Sequence, residues 1–369
     1  MSKTKAVVYA VSTLSGTIIG VGLFGLPYVT LKVGFWVVLG YFAVLSVFAI
    51  LVHSFFAELA LQTPDFKRMP GFAKIYLGKW GQNTAYVTTV LGLLGALLAY
   101  LIVGGEFFTE LLQPYFGGNN LAYTLLYFVA GSALIFHGIK SIAKIEFWGL
   151  ILFFLILFAI FFRGQSFISL ENLFPATDWS LFFLPYGVIL FSIWGAALIP
   201  EVEEMLGEKK KMILKIVPVA VLIPIFVYLF FIYLILGITG YNTTESALGG
   251  LRMVLGDGVL ALTLVFGLLT TFTSFIALGL TLKKVFWYDF GFGKNLSWAI
   301  TCFLPFFLYL AGLKNFLPVI GVVGGVMLAF DGILILLMYN KIRPDKKFVV
   351  YPMILLFLAG IVYSFVYFS

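Results

Sequence analysis

Long apolar runs recur along the whole chain and leave it little choice of fold. Runs of about 20 residues alternate with short charged or turn-rich segments, and this is the length that a helix needs to cross a bilayer. The expected fold class is an all-α membrane protein of eleven transmembrane helices. The predicted spans cover residues 6–31, 33–61, 83–113, 119–139, 144–162, 179–206, 212–237, 258–284, 296–312, 317–340 and 348–368.

The composition agrees with this class. Hydrophobic residues make up 62% of the chain and charged residues 11%, against roughly 25% charged residues in soluble domains. No segment between the spans is long enough for a soluble domain, so residues 1–369 are expected to form a single transmembrane domain. We expect no cleavable signal, because the first span already starts at Ala6. Cys302 is the only cysteine, which excludes an intramolecular disulfide and a thiol-based metal cluster.

The basic residues predict the orientation in the membrane. With the N-terminus in the cytoplasm, 19 of the 23 lysines and arginines lie on the cytoplasmic side, as the positive-inside rule requires. Eleven spans then place the C-terminus outside, in the plasma (inner) membrane. The net charge of +7 fits contact with anionic inner-leaflet lipid and gives no support for nucleic-acid binding.

The centre of the first span is a poor helix. Residues 16–27, Gly-Thr-Ile-Ile-Gly-Val-Gly-Leu-Phe-Gly-Leu-Pro, include four glycines and a proline, and a glycine in a helix interior costs about 1 kcal/mol relative to alanine. Broken backbone persists in lipid only beside a polar cavity. We therefore expect a discontinuous helix that forms part of a solute site at the bilayer midplane. Close helix packing is the alternative explanation for Gly16 and Gly20.

A second interruption is predicted in the sixth span. There residues 191–197, Phe-Ser-Ile-Trp-Gly-Ala-Ala, precede Pro200, which removes a backbone donor and clashes with the preceding turn. Spans 1 and 6 are five apart, so two five-span units would enter the membrane from opposite sides, with their broken helices facing each other. We expect a five-plus-five inverted repeat over residues 1–162 and 163–340, followed by an extra C-terminal helix over 341–369. The span count and break positions carry this expectation, since the halves show no convincing identity.

Two facing breaks match the charges of an α-amino acid. At each break, one half-helix offers N–H groups with partial positive charge, and the other offers carbonyls with partial negative charge. Neither break contains an acidic or basic side chain, which favours a substrate without net charge. The expected carboxylate ligands are the amides near Gly20, Val21 and Gly22, and the expected ammonium ligands are the carbonyls near Gly16, Thr17 and Phe191.

Both breaks resemble a known group of transporters. Residues 16–28 look like the first-helix signature of the amino acid/auxin permease and aromatic amino acid permease families, within the amino acid/polyamine/organocation superfamily. Residues 194–204, Trp-Gly-Ala-Ala-Leu-Ile-Pro-Glu-Val-Glu-Glu, are similar to the sixth-helix pattern of these families. The resemblance covers spans 1 to 10. It implies the five-plus-five fold first described for bacterial neurotransmitter-sodium-symporter relatives, secondary active amino acid transport, and a substrate site that includes Phe191, Ser192 and Trp194.

The resemblance also assigns residues in spans 3 and 8. Residues 100–106, Tyr-Leu-Ile-Val-Gly-Gly-Glu, resemble a family segment whose tyrosine hydroxyl reaches the substrate carboxylate, a role carried over to Tyr100. Residues 270–277 are similar to a segment whose Thr-Ser pair holds a sodium ion, a cation suited to hard oxygen ligands. Sodium is favoured over a proton as the coupling ion, although many relatives use protons. The implied ion ligands are the carbonyls of Gly16, Ile19 and Thr270 and the hydroxyls of Thr273 and Ser274.

Several of these residues have a structural alternative. Tyr100, Phe191 and Trp194 are equally explained as packing aromatics. The hydroxyls of Thr273 and Ser274 can instead bond carbonyls of their own helix.

Ionisable side chains within the spans are few. Glu106 and Asp331 are the strongest candidates for a gate or a proton relay, and a structural hydrogen bond is an equal alternative for each. His53, Glu58 and His137 lie nearer the span ends.

The segments outside the spans also carry expectations. The glutamates between 201 and 208 are expected at a solvated cytoplasmic helix end, or paired with the basic loop at Lys67 and Arg68 as an inner gate. Residues 64–80 are expected to form an interfacial amphipathic helix, and residues 240–258 an external lid.

The resulting hypothesis is an ion-coupled importer of a neutral amino acid, with aromatic and branched side chains as the candidates. It would work by alternating access, without a cofactor other than the coupling ion and without a metal beyond sodium. A non-transporting amino acid sensor is the alternative. An intramembrane enzyme has no support, because no constellation of His, Cys, Asp or Glu falls at a shared depth.

Overall fold

The computed structural model describes residues 3–63, 67–138, 142–251 and 257–368. All regular secondary structure in these ranges is helical. By length and composition, eight helical segments can each cross a membrane, or nine if one bent pair counts as a single span. The expected all-helical membrane class is therefore correct, whereas the expected number of eleven is larger than this count.

The first predicted span consists of two helices. Helix α1 (Lys3–Ile18) and helix α2 (Gly22–Val33) are bent by 48° where they meet. Gly34 then adopts a φ of 90°, a conformation open to glycine because it has no Cβ. This turn reverses the chain into helix α3 (Phe35–Gln62).

Three helices follow. Helix α4 (Met69–Phe116) is interrupted near its start by Gly78, whose φ is 76°. Helices α5 (Asn120–His137) and α6 (Ile142–Gly164) come next.

The segment predicted as an interfacial helix, residues 64–80, is partly buried against the protein. Of the predicted amphipathic helix over 64–80, residues 64–66 lie outside the described residues. Met69 and Phe72 are buried against the protein, while Ile75 and Trp80 are more than half exposed.

The second half contains the other interrupted spans. Helix α7 (Leu184–Ile193) ends before the second break, and Pro200 lies in the first turn of helix α8 (Ile199–Leu206). A proline is tolerated there because its missing N–H would have no intrahelical partner. The helices are α7 (Leu184–Ile193), α8 (Ile199–Leu206), α9 (Ile213–Thr239), α10 (Asp257–Lys284), α11 (Lys294–Leu310), α12 (Phe316–Val322), α13 (Ala329–Ile342) and α14 (Lys347–Phe368).

Two facts explain the difference in the number of spans. The segment Leu184–Asn242 counts as one apolar unit, although it contains both the sixth and the seventh predicted spans. Helix α11, the ninth predicted span, has only 17 residues, one fewer than the shortest helix counted.

The two interrupted spans lie side by side. Helix α2 packs against α7, and α1 packs against α8. Helix α7 also contacts the π-helical turn Val323–Leu328 between α12 and α13. The contact is backbone to backbone, because a Cβ on Gly324 would overlap the Gly187 carbonyl oxygen. Small residues permit this close approach of helices, which holds the interrupted spans against the π-helical turn.

The segment predicted as an external lid is partly described. It begins with the single turn Gly240–Asn242 and includes the turn Gly249–Leu251, and residues 252–256 lie outside the described residues. Leu248 is fully buried, and its side chain lies beside Gly267 of α10. The described part of the segment therefore packs onto the helices.

Candidate substrate and ion sites

Short turns replace the helical hydrogen-bond ladder at residues 19–21, the first break. The Gly20 N–H donates to the Ile18 carbonyl at 2.7 Å, and the Leu23 N–H donates to the Gly20 carbonyl at 3.2 Å. These bonds span two or three residues instead of the four of an α-helix. The helix ends on either side therefore direct backbone polar groups toward partners outside the helix.

A buried histidine caps the second break, which we define as residues 194–198. Trp194 has an extended backbone with φ −87° and ψ 121°, and the Gly195 N–H donates to Nε2 of His53 at 2.7 Å. The other ring nitrogen of His53, Nδ1, hydrogen-bonds the Ala49 carbonyl. A carbonyl can only accept, so the proton lies on Nδ1 and the imidazole is neutral. His53 of α3 therefore supplies the acceptor that the unwound segment lacks.

One tyrosine connects the two breaks. The Tyr228 hydroxyl, on α9, contacts the Ile18 carbonyl oxygen at the end of α1 and lies 2.7 Å from the Ser192 carbonyl oxygen near the end of α7. Tyr228 is fully buried. A hydroxyl has a single proton and donates to one carbonyl at a time. The other carbonyl is then available to a further donor.

Two glycines allow the breaks and Tyr100 to approach each other. A Cβ on Gly22 would lie 2.9 Å from the Cα of Ser192, and a Cβ on Gly20 would overlap the Tyr100 hydroxyl. Any side chain at either position requires its neighbour to move. The absence of side chains therefore brings the second break and the Tyr100 hydroxyl against the first break.

A cavity of about 60 Å³, the central cavity, lies where these elements meet. Seven of the nine predicted substrate residues line it: Thr17, Gly20, Gly22, Tyr100, Phe191, Ser192 and Trp194. Gly16 and Val21 lie outside this lining. The remaining lining residues are Ile18, Thr89, Gly92, Leu93, Ala96, Gly195, Ala197, Leu198, Leu278, Val323, Leu328 and Asp331.

The central cavity is polar on one side and too small for an amino acid. The Thr17 hydroxyl is buried there, and within the described part of the chain it has no hydrogen-bond partner. Ligand pockets in proteins usually enclose roughly 300–1,000 Å³, so the central cavity is smaller than a typical ligand pocket.

Four of the five predicted ion ligands line a second, smaller cavity of about 10 Å³, and the fifth, Ser274, is not part of this lining. Gly16, Ile19, Thr270 and Thr273 line this ion cavity, which has room for about one water-sized particle. The rest of the lining comes from Gly149, Leu150, Phe153 and Leu269.

The hydroxyls at this site differ in their partners. Thr270 donates to the Phe266 carbonyl of its own helix at 2.9 Å, while the Thr273 contact to the Thr270 carbonyl is long, at 3.4 Å. The Ser274 hydroxyl is buried and has no partner among the described residues. A buried hydroxyl without a partner is unfavourable, so the Ser274 and Thr273 oxygens are the two suited to a cation.

The two candidate gate carboxylates occupy different places. Asp331 of α13 lines the central cavity and accepts hydrogen bonds from Thr88 at 2.5 Å and Thr89 at 3.2 Å, both on α4. Glu106 does not line the central cavity, and it lies beside Ser246 of the predicted lid segment. The central cavity therefore contains an acidic side chain, Asp331, which lies outside both breaks.

Ion pairs close the end of the molecule that the sequence places in the cytoplasm. Arg68 lies 2.8 Å from Glu201 and 2.9 Å from Glu204, and Lys284 lies 2.5 Å from Glu201. Burial disfavours the charged guanidinium of Arg68, but the two carboxylates outweigh it and raise the pKa of Arg68 above its usual value. Of the two expectations for these glutamates, the structure shows pairing with the basic loop.

A wide cleft of about 720 Å³ adjoins these ion pairs. Glu201, Glu204 and Lys284 line it together with Thr13 and Leu198. Leu198 also lines the central cavity, so a thin layer of protein separates the two spaces.

Sequence reasoning did not select His53 or Tyr228 for the site. The sequence places His53 only near the end of a predicted span. Tyr228 is one of 19 tyrosines, and no motif distinguishes it from the others. Both act on backbone groups of other helices, so only the packing reveals them.

Solved structures share the fold of this chain. Mhp1, a nucleobase-cation-symport-1 family transporter in a closed conformation with bromovinylhydantoin bound, has a TM-score of 0.71 at 13% identity and covers 92% of this chain and 78% of its own. MhsT in complex with L-phenylalanine has a TM-score of 0.64 at 14% identity over 96% of this chain and 98% of its own. The manganese transporter of Eremococcus coleocola has a TM-score of 0.63 at 14% identity, covering 98% and 87%.

Sequence comparisons lead to the family. Tyrosine-specific transport system 1 of Haemophilus influenzae is 30% identical over 150 residues, which are 40% of this chain and 35% of that protein. This match thus spans about a third of the relative's length. The model of the tryptophan/tyrosine permease family matches residues 3–366. The chain is therefore an integral membrane protein that belongs to the tryptophan/tyrosine permease family.

Proposed function

We propose that this protein is a secondary active transporter that couples the import of tyrosine, tryptophan or a similar aromatic amino acid to the entry of sodium by alternating access. The observation that carries the proposal is the convergence of two backbone breaks and the Tyr100 hydroxyl on one cavity in a member of the tryptophan/tyrosine permease family. The name of the Haemophilus relative and the phenylalanine complex of MhsT support an aromatic substrate.

The backbone groups fit the two charges of an amino acid. The carboxylate would bind the amides at the start of α2 and the Tyr100 hydroxyl, which lies against Gly20. The ammonium would donate to the carbonyls of Ile18 and Ser192, which share the single proton of Tyr228. The buried Thr17 hydroxyl supplies a further hydrogen bond in the same cavity.

Sodium would occupy the ion cavity. Its ligands would be the carbonyls of Gly16, Ile19 and Thr270 and the hydroxyls of Thr273 and Ser274. These are neutral oxygens, which suit a hard monovalent cation. Gly16 belongs to the helix that ends at the first break, so an ion bound here would hold α1 against α10 and prepare the substrate site.

Alternating access would require the central cavity to enlarge and open. Its volume of about 60 Å³ excludes an aromatic amino acid, and Leu198 separates it from the cytoplasmic-side cleft. The ion pairs of Arg68 with Glu201 and Glu204 would act as the inner gate. Movement of α1 and α8 would then connect the two spaces.

The proposed topology has eleven crossings. Two inverted five-helix repeats, over residues 1–162 and 163–340, would be followed by the C-terminal helix over 341–369. The N-terminus would lie in the cytoplasm and the C-terminus outside.

Uptake into proteoliposomes tests this function. The purified protein should accumulate labelled tyrosine or tryptophan when sodium is high outside, and dissipation of the sodium gradient should abolish accumulation. Accumulation that follows a proton gradient alone would reassign the coupling ion. Ligand binding without flux under either gradient would select the sensor, and an absence of aromatic amino acid binding would refute the proposal.

A further inference from the structure

The Asp331 carboxylate takes no part in the proposed binding of the amino acid's two charges by backbone groups. It lies in the central cavity, yet it belongs to neither break. Among the described residues, no lysine or arginine forms an ion pair with it, and it accepts hydrogen bonds from the hydroxyls of Thr88 and Thr89. A carboxylate offers about four acceptor sites on two oxygens, so Asp331 can accept a further hydrogen bond from a ligand in the cavity.

The lining of the cavity separates Asp331 from the groups that would hold the amino acid's charges. Tyr100 and Thr89 both face the cavity from α4, and they are eleven residues apart, or about 16 Å along the helix. The Tyr100 hydroxyl lies at the first break. Thr89 instead donates a hydrogen bond to Asp331. The carboxylate therefore lies at the end of the cavity lining that is opposite to Tyr100.

The surface between these two ends is apolar and made of small or aliphatic residues. Gly92, Leu93 and Ala96 of α4 face the cavity between Thr89 and Tyr100. Val323 and Leu328, from the π-helical turn just before Asp331, complete this part of the lining. Such residues suit an aromatic ring, which would leave the ring's far edge next to Asp331.

We propose that Asp331 determines the ring chemistry of the substrate by accepting a hydrogen bond from the phenol O–H of tyrosine or the indole N–H of tryptophan. Phenylalanine cannot donate this bond, and its ring would cover the remaining acceptor site of the carboxylate without giving it a donor. Asp331 is thus a specificity-determining residue. The inference rests on the proposed function, because it assumes an aromatic amino acid in the central cavity.

The test compares ligands that differ only in this donor. Dissociation constants are measured for the purified full-length protein in nanodiscs with sodium, using tyrosine against phenylalanine, and tryptophan against benzothienylalanine, in which sulfur replaces the indole N–H. The wild-type protein should bind tyrosine about 10 to 100 times more tightly than phenylalanine, and tryptophan more tightly than benzothienylalanine by a similar factor. This is the range for a hydrogen bond to a charged group.

Two variants of Asp331 isolate its contribution. In Asp331→Asn the amide NH₂ replaces one acceptor oxygen while the other still accepts from Thr88, so the fold should persist and the preference should fall to a few-fold or less. Asp331→Leu should remove the preference, with phenylalanine affinity unchanged within about threefold. If Asp331→Leu does not fold, Asp331→Asn decides alone. Glu110→Gln, a change at a carboxylate of α4 that does not line the cavity, should keep the wild-type ratios.

The outcomes separate this inference from the proposed function. Unchanged ratios in folded Asp331→Asn, a wild-type ratio near one, or an equal loss of all four ligands in the folded variants would overturn the role of Asp331 alone. A wild-type protein that binds none of the four ligands would instead refute the proposed function.

Discussion

Single residues far apart in the sequence hold the two breaks in position. His53 supplies an acceptor to the Gly195 N–H, and the Tyr228 hydroxyl meets a carbonyl from each broken span. Buried backbone groups without partners cost free energy. The breaks are therefore stabilised by side chains from neighbouring helices, in the way that caps stabilise ordinary helix ends.

Tyr228→Phe should destabilise the protein while preserving the packing of the ring. The change removes this donor from the Ser192 carbonyl, while the Ile18 carbonyl still accepts from the Gly20 N–H. A buried acceptor that loses its partner costs about 1–3 kcal/mol. Thermal unfolding in detergent measures the loss. Tyr241→Phe, at a side chain that is 82% exposed, serves as the control, and equal unfolding temperatures for the two variants would contradict the role of Tyr228.

Gly20→Ala should weaken substrate binding by about tenfold or more. The added methyl group would overlap the Tyr100 hydroxyl, and overpacking in a closed interior costs about 1–3 kcal/mol. Binding of tyrosine is measured by the ligand-induced rise in thermal stability. Gly40→Ala is the matched control, because a Cβ there meets no atom within 4 Å. Wild-type affinity in Gly20→Ala would remove the first break from the substrate site.

At the scale of elements, the sequence predicts where the helices are interrupted better than it predicts which elements and side chains lie around these breaks. Glycines and prolines mark both breaks because they weaken helices whatever their context. The sequence does not predict the π-helical turn Val323–Leu328, in which Gly324 lies against the Gly187 backbone of a distant helix. The presence of Asp331 in the cavity depends on how α13 is rotated, which its own sequence does not determine.

The contact between α1 and α10 gives a prediction for the coupling ion. Joint replacement of Thr273 and Ser274 by alanine removes both hydroxyls expected to bind it, so the sodium concentration for half-maximal tyrosine binding should rise about tenfold or more. Thr281→Ala is a suitable control, because its hydroxyl bonds the Ala277 carbonyl of the same helix. An unchanged sodium dependence in the double variant would exclude these residues from the ion site.

At the scale of the whole molecule, the sequence predicts the all-helical membrane class, and seven of the nine residues that it proposes for the substrate site line the central cavity. The number of spans counted in the structure is smaller than the predicted eleven. The reason is that α11 is short and that the sixth and seventh predicted spans merge into one apolar segment. The pairing of Arg68 with Glu201 joins positions 133 residues apart. Sequence reasoning could offer this pairing only as one of two alternatives, because a charged helix end is also stable in water.

Glu201→Gln should destabilise the proposed inner gate, in which Glu201 pairs with Arg68 and Lys284. Arg68 is nearly fully buried, with a side-chain exposure of 2%, and removing one partner of a buried pair costs about 3–5 kcal/mol when the other charge is left uncompensated. Glu204 still pairs with Arg68 in this variant, so the loss should be smaller than this. Increased labelling of a cysteine introduced at Leu198, in a Cys302→Ser background, reports the opening. Glu208→Gln, at an exposed position, should label like the parent, and equal labelling of both variants would contradict a gate at Glu201.

The most direct test of the account is an experimental structure determined with tyrosine and sodium present. In that structure the first and sixth spans should be interrupted. The tyrosine carboxylate should lie at the Tyr100 hydroxyl and the amides of residues 20–22, and the ammonium should lie at the carbonyls of Ile18 and Ser192. Continuous helices through both segments, or tyrosine bound away from both breaks, would contradict the account.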